Sequence, residues 1–343
     1  MKFGIALPNS GPVATPQAIR LTAEKAEQLG LHIVWVHDHI SYGKEWLGHR
    51  ASGVSEQISD ETKPDFYETL TTLSFIAGFT ERIQLGTGVL VVPLRNPLVL
   101  GRQLLTLQKL SKGRLILGTG IGDYPAEFKV LNVPYDQRTH IFEEYLHALR
   151  LILQGGSVTY HGKIIKFDDA QFYPRVNPPP ILIGGGVIAV PEPGEDKLSL
   201  PVLKRVARLG DGWMPDWGTP EIVAEGVKKI KKLAKEFKRN VDFHISFSTG
   251  FHLAATDEEA KRRTSHSINF AEKEANLVAR FGTRTPEKIM QRNFIGSADT
   301  IIKRVEKYQN AGVNYLKLMT LTPSVESLLG MMEKFSREVM PSF

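Results

Sequence analysis

The sequence predicts one (β/α)8 TIM barrel with insertions, filling residues 1–343 as a single domain. Three observations carry this expectation. Eight short apolar runs recur along the chain, most of them continuous rather than alternating, as in strands covered on both faces. Helical patterns with their own start and stop signals separate these runs. No Gly-, Ser- or Pro-rich linker divides the 343 residues, a length one large α/β domain can fill. A doubly wound parallel sheet is the alternative built from the same ingredients.

The strand candidates are residues 3–7, 33–36, 83–91, 115–117, 181–183, 212–214, 241–253 and 315–319. Thr-Pro pairs at 15–16, 219–220, 285–286 and 322–323, and Asn96-Pro97, each fit an N-cap followed by proline at the first helical position. Thr256 with Glu259 fits a capping box, and Gly30 and Gly113 stand where helices should stop. Gly86-Thr87-Gly88-Val89 is echoed by Gly118-Thr119-Gly120-Ile121, each after an apolar run, as a repeated βα unit would give. Two stretches exceed minimal barrel units. Residues 41–66 form a long polar segment carrying Tyr42, Trp46 and Phe66, with Tyr67 following, aromatic groups suited to covering an apolar ligand. Residues 157–176 read as a hairpin turning at His161-Gly162.

Composition narrows the function classes. Lys+Arg total 43 against 37 for Asp+Glu, and the resulting +6 is a mild excess that suits a small acidic ligand better than nucleic acid. With no cysteine, disulfides, thiolate metal sites and cysteine nucleophiles are excluded. MKFGIALPNS reads as a strand rather than a signal peptide, and no run approaches the ~20 apolar residues of a membrane helix. The expectation is a soluble cytoplasmic protein with no membrane or nucleic-acid partner. The basic run from Lys228 to Arg239 is interleaved with Ile230, Leu233, Ala234 and Phe237 at helical spacing, so it reads as an outer helix with a solvated face. Glu143-Glu144 reads as another solvated face.

The candidate chemistry begins at VWVHDHI, residues 34–40, where an apolar strand runs straight into three ionisable side chains. His37 and His39, two apart, would share a face of a strand and suit a divalent metal. Later strand ends offer only Asp123, Asp211 and Asp216 to complete such a site, so no metal is expected. LGTGIGD at 117–123 falls short of a dinucleotide fingerprint, because Asp123 occupies the place of the third glycine. The Ile-Gly-Gly-Gly run at 183–186 follows a buried strand, and its amides suit either an anion nest or a plain turn.

Taken together, GIALPNSG at 4–11, AEKAEQLGLHIVWVHDHI at 23–40, the block from 81 to 128, PPILIGGG at 179–186 and ARLGDGWMP at 207–215 resemble the luciferase-like monooxygenases. Within that family they resemble the oxidoreductases that use coenzyme F420. The resemblance implies a barrel holding the cofactor ring at the C-terminal ends of its strands. It implies catalytic roles for His39, beside the reacting ring, and for Asp38, its neighbour and a cofactor contact; His37 is structural. It implies a non-proline cis peptide at Gly88-Val89 against the ring, ring contacts from Thr119 and Gly120, and a phosphate held by the amides of Gly185, Gly186, Ile188 and Ala189. Some relatives carry a catalytic glutamate where this chain has Ile121. Asp123 or Glu127 are the possible substitutes, with Glu127 better read as part of the next helix. The lysine and arginine set of sugar-phosphate-oxidising relatives is not recognisable here, which argues against that substrate. The segment after Gly186 is longer than usual.

The resulting expectation is hydride transfer between C5 of F420 and a small, apolar or moderately polar organic substrate, in a homodimer. The rivals are an FMN-dependent monooxygenase of the same fold, a metal-dependent barrel hydrolase using His37 and His39, and a non-catalytic cofactor sensor.

Overall fold

The computed structural model describes residues 1–11, 13–41, 65–188, 196–215, 218–272, 293–320 and 324–343. Eight parallel strands close into a barrel: β1 (Lys2–Ala6), β2 (Ile33–Val36), β3 (Gln84–Thr87), β5 (Leu115–Gly120), β8 (Ile181–Gly184), β11 (Gly212–Met214), β12 (His244–Leu253) and β14 (Tyr315–Thr320). Pairing of β11 with β12 and of β14 with β1 completes the ring. The remaining strands are short or peripheral. β4 (Leu90–Val91) extends the sheet beside β5, and β13 (Phe294–Gly296) lies along the end of β12. β6 (Gly156–His161) with β7 (Lys166–Phe172), and β9 (Val187–Ile188) with β10 (Lys197–Leu198), form two separate antiparallel ladders.

The helices that follow the strands are α1 (Pro16–Gln28), α2 (Thr69–Ala77), α3 (Pro97–Leu110), α4 (Pro125–Val130), α5 (Arg138–Ile152), α6 (Leu200–Leu209), α7 (Pro220–Glu236), α8 (Asp257–Glu272), α9 (Ala298–Asn310) and α10 (Val325–Glu338). The expected caps form: Thr15 accepts from the Ala18 amide, Thr219 from Ile222, and Asn96 from Leu98 and Val99. Thr256 accepts from the Glu259 amide, while the Glu259 carboxylate turns back to Ala255. Gly30 and Gly113 take φ of +76° and +86° just past helix ends, where a Cβ would be strained. The last helix departs from expectation, since its N-cap is Ser324 rather than Thr322. Thr285-Pro286 lies outside the described residues.

Side-chain alternation divides the barrel into two cores. Outward residues such as Ile5, Val34, Leu85, Leu117 and Ile183 join the helices in the main apolar core. Ile33, Trp35, Ile116, Leu182, Met214 and Tyr315 fill the lumen, with Val89 packed on them. The lumen is therefore a packed core with its floor at this layer, as expected of a barrel of this size. Gly4 and Gly86 make room for Trp35: a Cβ at position 4 would stand 2.5 Å from the indole nitrogen. α7 buries Val223, Val227, Ile230, Leu233 and Ala234, leaving its lysines solvated. Glu143 and Glu144 do more than face solvent. Glu143 pairs with Arg205 and Arg208, and Glu144 accepts from the amides of Lys163, Ile164 and Ile165, pinning the β6–β7 turn.

Candidate active site

Three connections at the C-terminal rim converge on residues 37–41. The first is β2 itself, which ends at Val36 and delivers His37, Asp38 and His39. Asn9, fully buried just past β1, holds this turn from both sides: it accepts from the His37 amide and donates to the His37 carbonyl at 2.9 Å. The Thr69 hydroxyl lies 2.7 Å from that carbonyl as well, and shares its one proton between it and the Asp38 carboxylate. The backbone of His37 is thus fixed.

The second connection runs through Asp38, whose side chain is completely buried. Arg95 grips it with both terminal guanidinium nitrogens at 2.7 Å, the Thr69 hydroxyl donates at 2.9 Å and the Val91 amide at 2.8 Å. Burial alone would lower the Arg95 guanidinium, but the carboxylates of Asp38 and Glu68 outweigh it and hold it above its ordinary range. Burial likewise works to raise Glu68, and the Thr71 amide with Arg95 brings it down instead. Asp38 is therefore spent on tying the end of β2 to β4 and to the start of α3.

The third connection is His39. Its Nδ1 lies 3.0 Å from Oε2 of Glu127, and both side chains are buried. The other carboxylate oxygen accepts from the amides of Ile40 at 2.6 Å and Ser41 at 3.3 Å. A carboxylate only accepts, so the imidazole donates from Nδ1, and in the neutral ring Nε2 is left as the acceptor. Phe66 meets the imidazole edge to face, with centroids 5.5 Å apart. Glu127 does lie in the first turn of α4, as read from the sequence, and from there its carboxylate reaches the imidazole of His39.

Around this corner the glycine-rich strand ends behave as a set. Gly88-Val89 is a cis peptide, and the carbonyl of that bond accepts at 2.7 Å from Lys317, a buried residue of β14. The expected strand 83–91 is divided here into β3 and β4. Val89 packs against Gly120 and Gly184, where a Cβ would come within 2.6 and 3.1 Å of its methyls. The two echoed threonines do the same job one strand apart. Thr87 donates to the Gly118 carbonyl and Thr119 to that of Leu182, so the Thr119 hydroxyl proton serves the sheet. Gly185 and Gly186 take φ of +87° and +98°. The Gly185 amide donates to Met214, which removes it from the expected anion nest, although its α-carbon faces open space. Ile188 is exposed on β9, and Ala189, Tyr42, Trp46 and Asp216 lie outside the described residues.

Among the described residues, no three His, Cys, Asp or Glu side chains come together in a way that could hold a metal ion. No described helix is long and apolar enough to cross a membrane.

Comparison with known proteins adds to this geometry. The profile of the luciferase-like monooxygenase family matches residues 1–315. The F420-dependent glucose-6-phosphate dehydrogenase of Amycolatopsis mediterranei is 25% identical over 343 aligned positions, covering 93% of this chain and 92% of that protein. Monooxygenase RslO1 from Streptomyces bottropensis superposes with a TM-score of 0.77 at 22% identity, over 99% of each chain. An F420-dependent secondary alcohol dehydrogenase, solved with an F420-acetone adduct, gives 0.76 at 16% identity over 99% of this chain and 98% of its own. Both structural likenesses are likenesses of fold.

Proposed function

The chain belongs to the luciferase-like monooxygenase family, and from that premise we propose that it is an oxidoreductase using coenzyme F420 to exchange a hydride with a small organic substrate. The observation that carries this reading is the buried His39–Glu127 pair at 3.0 Å, a fixed and oriented imidazole at the C-terminal rim where barrel enzymes do their chemistry. The names of the dehydrogenases in the comparison support F420 over FMN.

The residues fit such a cofactor. Gly88, Gly120, Gly184 and Gly185 bring backbone rather than side chain to the rim, and Gly185 opens onto space that a Cβ would enter unopposed. Bound F420 would supply the hydride chemistry through C5 of its deazaflavin. His39 would hold or move a proton at Nε2 beside the reacting atoms, and Glu127 would keep the ring turned that way. Asp38 acts through Arg95 and Val91, fixing the segment that bears His39. Val89, Thr119 and Gly120 would shape the ring site, and Gly186, Ile188 and Ala189 would meet the phosphate tail, with the open α-carbon of Gly185 leaving room beside them. The substrate is read as apolar or moderately polar, and the working form as a cytoplasmic homodimer. Because Glu127 sets a buried carboxylate against His39, the ground for a non-catalytic sensor is weaker.

Side-by-side fluorescence titrations with F420 and FMN, each oxidised and reduced, test the reading. Tight binding of F420 alone is the expected result. A preference for FMN moves the protein to flavin-dependent oxygen chemistry, and binding of neither overturns the proposal.

A further inference from the structure

The lumen face of β12 is unusual for a barrel interior. Its outward residues Ile245, Phe247, Phe251 and Leu253 belong to the main core, so Ser246 and Ser248 point inward by alternation. The register agrees. Ser246 stands beside Tyr315, which lies in the lumen, and Ser248 beside Lys317. Ser246 and Ser248 are 0% and 7% exposed, and neither hydroxyl has a hydrogen-bond partner among the described residues. Lys317 is 3% exposed, with its ammonium on the Gly88 carbonyl. Glycine at 88 permits this approach, since a Cβ there would lie 2.7 Å from Nζ.

A buried hydroxyl left unbonded is costly, so Ser246 and Ser248 stand in the lumen at a penalty. Neighbouring lumen positions carry Ile116, Leu182 and Met214 without such a penalty. Polar side chains gathered on one side of an otherwise apolar barrel interior are a mark of a ligand site, and the lysine gives that site its sign.

We propose that Lys317 and Ser248 form a subsite on the lumen floor for an anionic oxygen, of carboxylate or enolate type, carried by the molecule that reacts above it. The inference rests on the reading of this rim as the reaction site. The oxygen has two possible bearers, the cofactor ring or an acidic substrate, and both present the same chemistry to Lys317.

Binding separates them. Oxidised and reduced F420 are titrated by fluorescence, and benzoate, as a planar carboxylate probe, by calorimetry, on the wild type, Lys317→Met and Ser248→Ala. Melting temperature is followed in parallel. The expected result is at least a tenfold loss of affinity for one probe in Lys317→Met. A smaller loss of the same probe is expected in Ser248→Ala, whose melting temperature does not fall because its hydroxyl has no protein partner. Loss confined to F420 assigns the oxygen to the cofactor, and loss confined to benzoate assigns it to substrate. If the wild type binds neither F420 nor FMN but benzoate is lost in the variants, the cofactor reading falls and the subsite stands. Equal affinities in folded variants, or a wild type that binds none of the probes, overturn the subsite. Should Lys317→Met fail to fold, Ser248→Ala alone decides.

Discussion

Nδ1 of His39 and Oε2 of Glu127 stand 3.0 Å apart across 88 residues of chain, and the same carboxylate accepts from the two amides that follow the histidine. One acidic side chain from α4 therefore fixes both the direction of the imidazole and the path of the backbone that carries it.

Replacing His39 with Ala is expected to leave the fold and F420 binding in place and to lower turnover by ~100-fold or more, the scale of a lost general acid–base group. Glu127→Gln should lower turnover while keeping the protein folded, because its amide can donate to Nδ1 and so reverse which ring nitrogen carries the proton. Single-turnover kinetics with pre-bound cofactor check both. Wild-type rates in His39→Ala would remove the catalytic role proposed for it.

Arg95→Met strands the Asp38 carboxylate, whose side chain is wholly buried. Breaking such a pair from one side costs about 3–5 kcal/mol. Adding Asp38→Asn should recover part of that loss. Urea unfolding of the two single variants and the double variant measures the coupling, and additive effects would show that the two groups do not share an ion pair in solution.

Two glycines of the rim should respond differently to a methyl group. At Gly120 the new Cβ would press within 2.6 Å of Val89, an overpacking worth about 1–3 kcal/mol of stability. At Gly185 there is open space, so the cost is the φ of +87° alone, about 1–2 kcal/mol. The methyl there intrudes where the cofactor is proposed to bind, so Gly185→Ala should weaken F420 affinity more than it weakens the fold. Titration and thermal melts on the same samples compare the two.

Acid should loosen the fold through histidines that burial holds below their ordinary value of 6.5. At His252 burial is the main cause, with the positive charge of Arg263 next; at His244 it is burial, then Lys2. The unfolded rings take protons near pH 6.5 that the folded rings refuse until lower pH, so stability is complete above that value and falls as pH drops below it. His252 has no hydrogen-bond partner among the described residues, and His252→Leu should therefore fold and lose less stability between pH 7 and 5.5 than the wild type. Parallel slopes in the two proteins would exclude His252 as a contributor.

Much of the framework is legible in the sequence because strands covered on both faces need uninterrupted apolar runs. Residues 33–36 and 212–214 match their strands to the residue. The strand 241–253 begins later, at His244, and β9, β10 and β13 pass unseen because two or three residues carry no period. In the site, Asp38 and His39 stand out as charge at the end of an apolar strand. Arg95 does not, and Glu127 figures only as one of two possible substitutes for a missing acid, since their partners lie 57 and 88 residues away and no local pattern encodes that distance. Lys317 carries the same signal as VWVHDHI, one charge inside Tyr-Leu-Lys-Leu-Met, and HISFSTGFHL alternates plainly between polar and apolar. Reading those two strands for their inward face would have found the lumen floor.

Closure of the barrel also orders its birth. β1 is flanked by β2 on one side and by β14 on the other, and the latter pairing joins Lys2 to Tyr315. β1 is synthesised before its partner β14, and one of its backbone edges stays unpaired until residues 315–320 follow. An open edge of this kind invites pairing with other chains. Until β14 is made the barrel is an incomplete cylinder, and the free edge of β1 has to be kept from foreign strands by whatever surrounds the nascent chain.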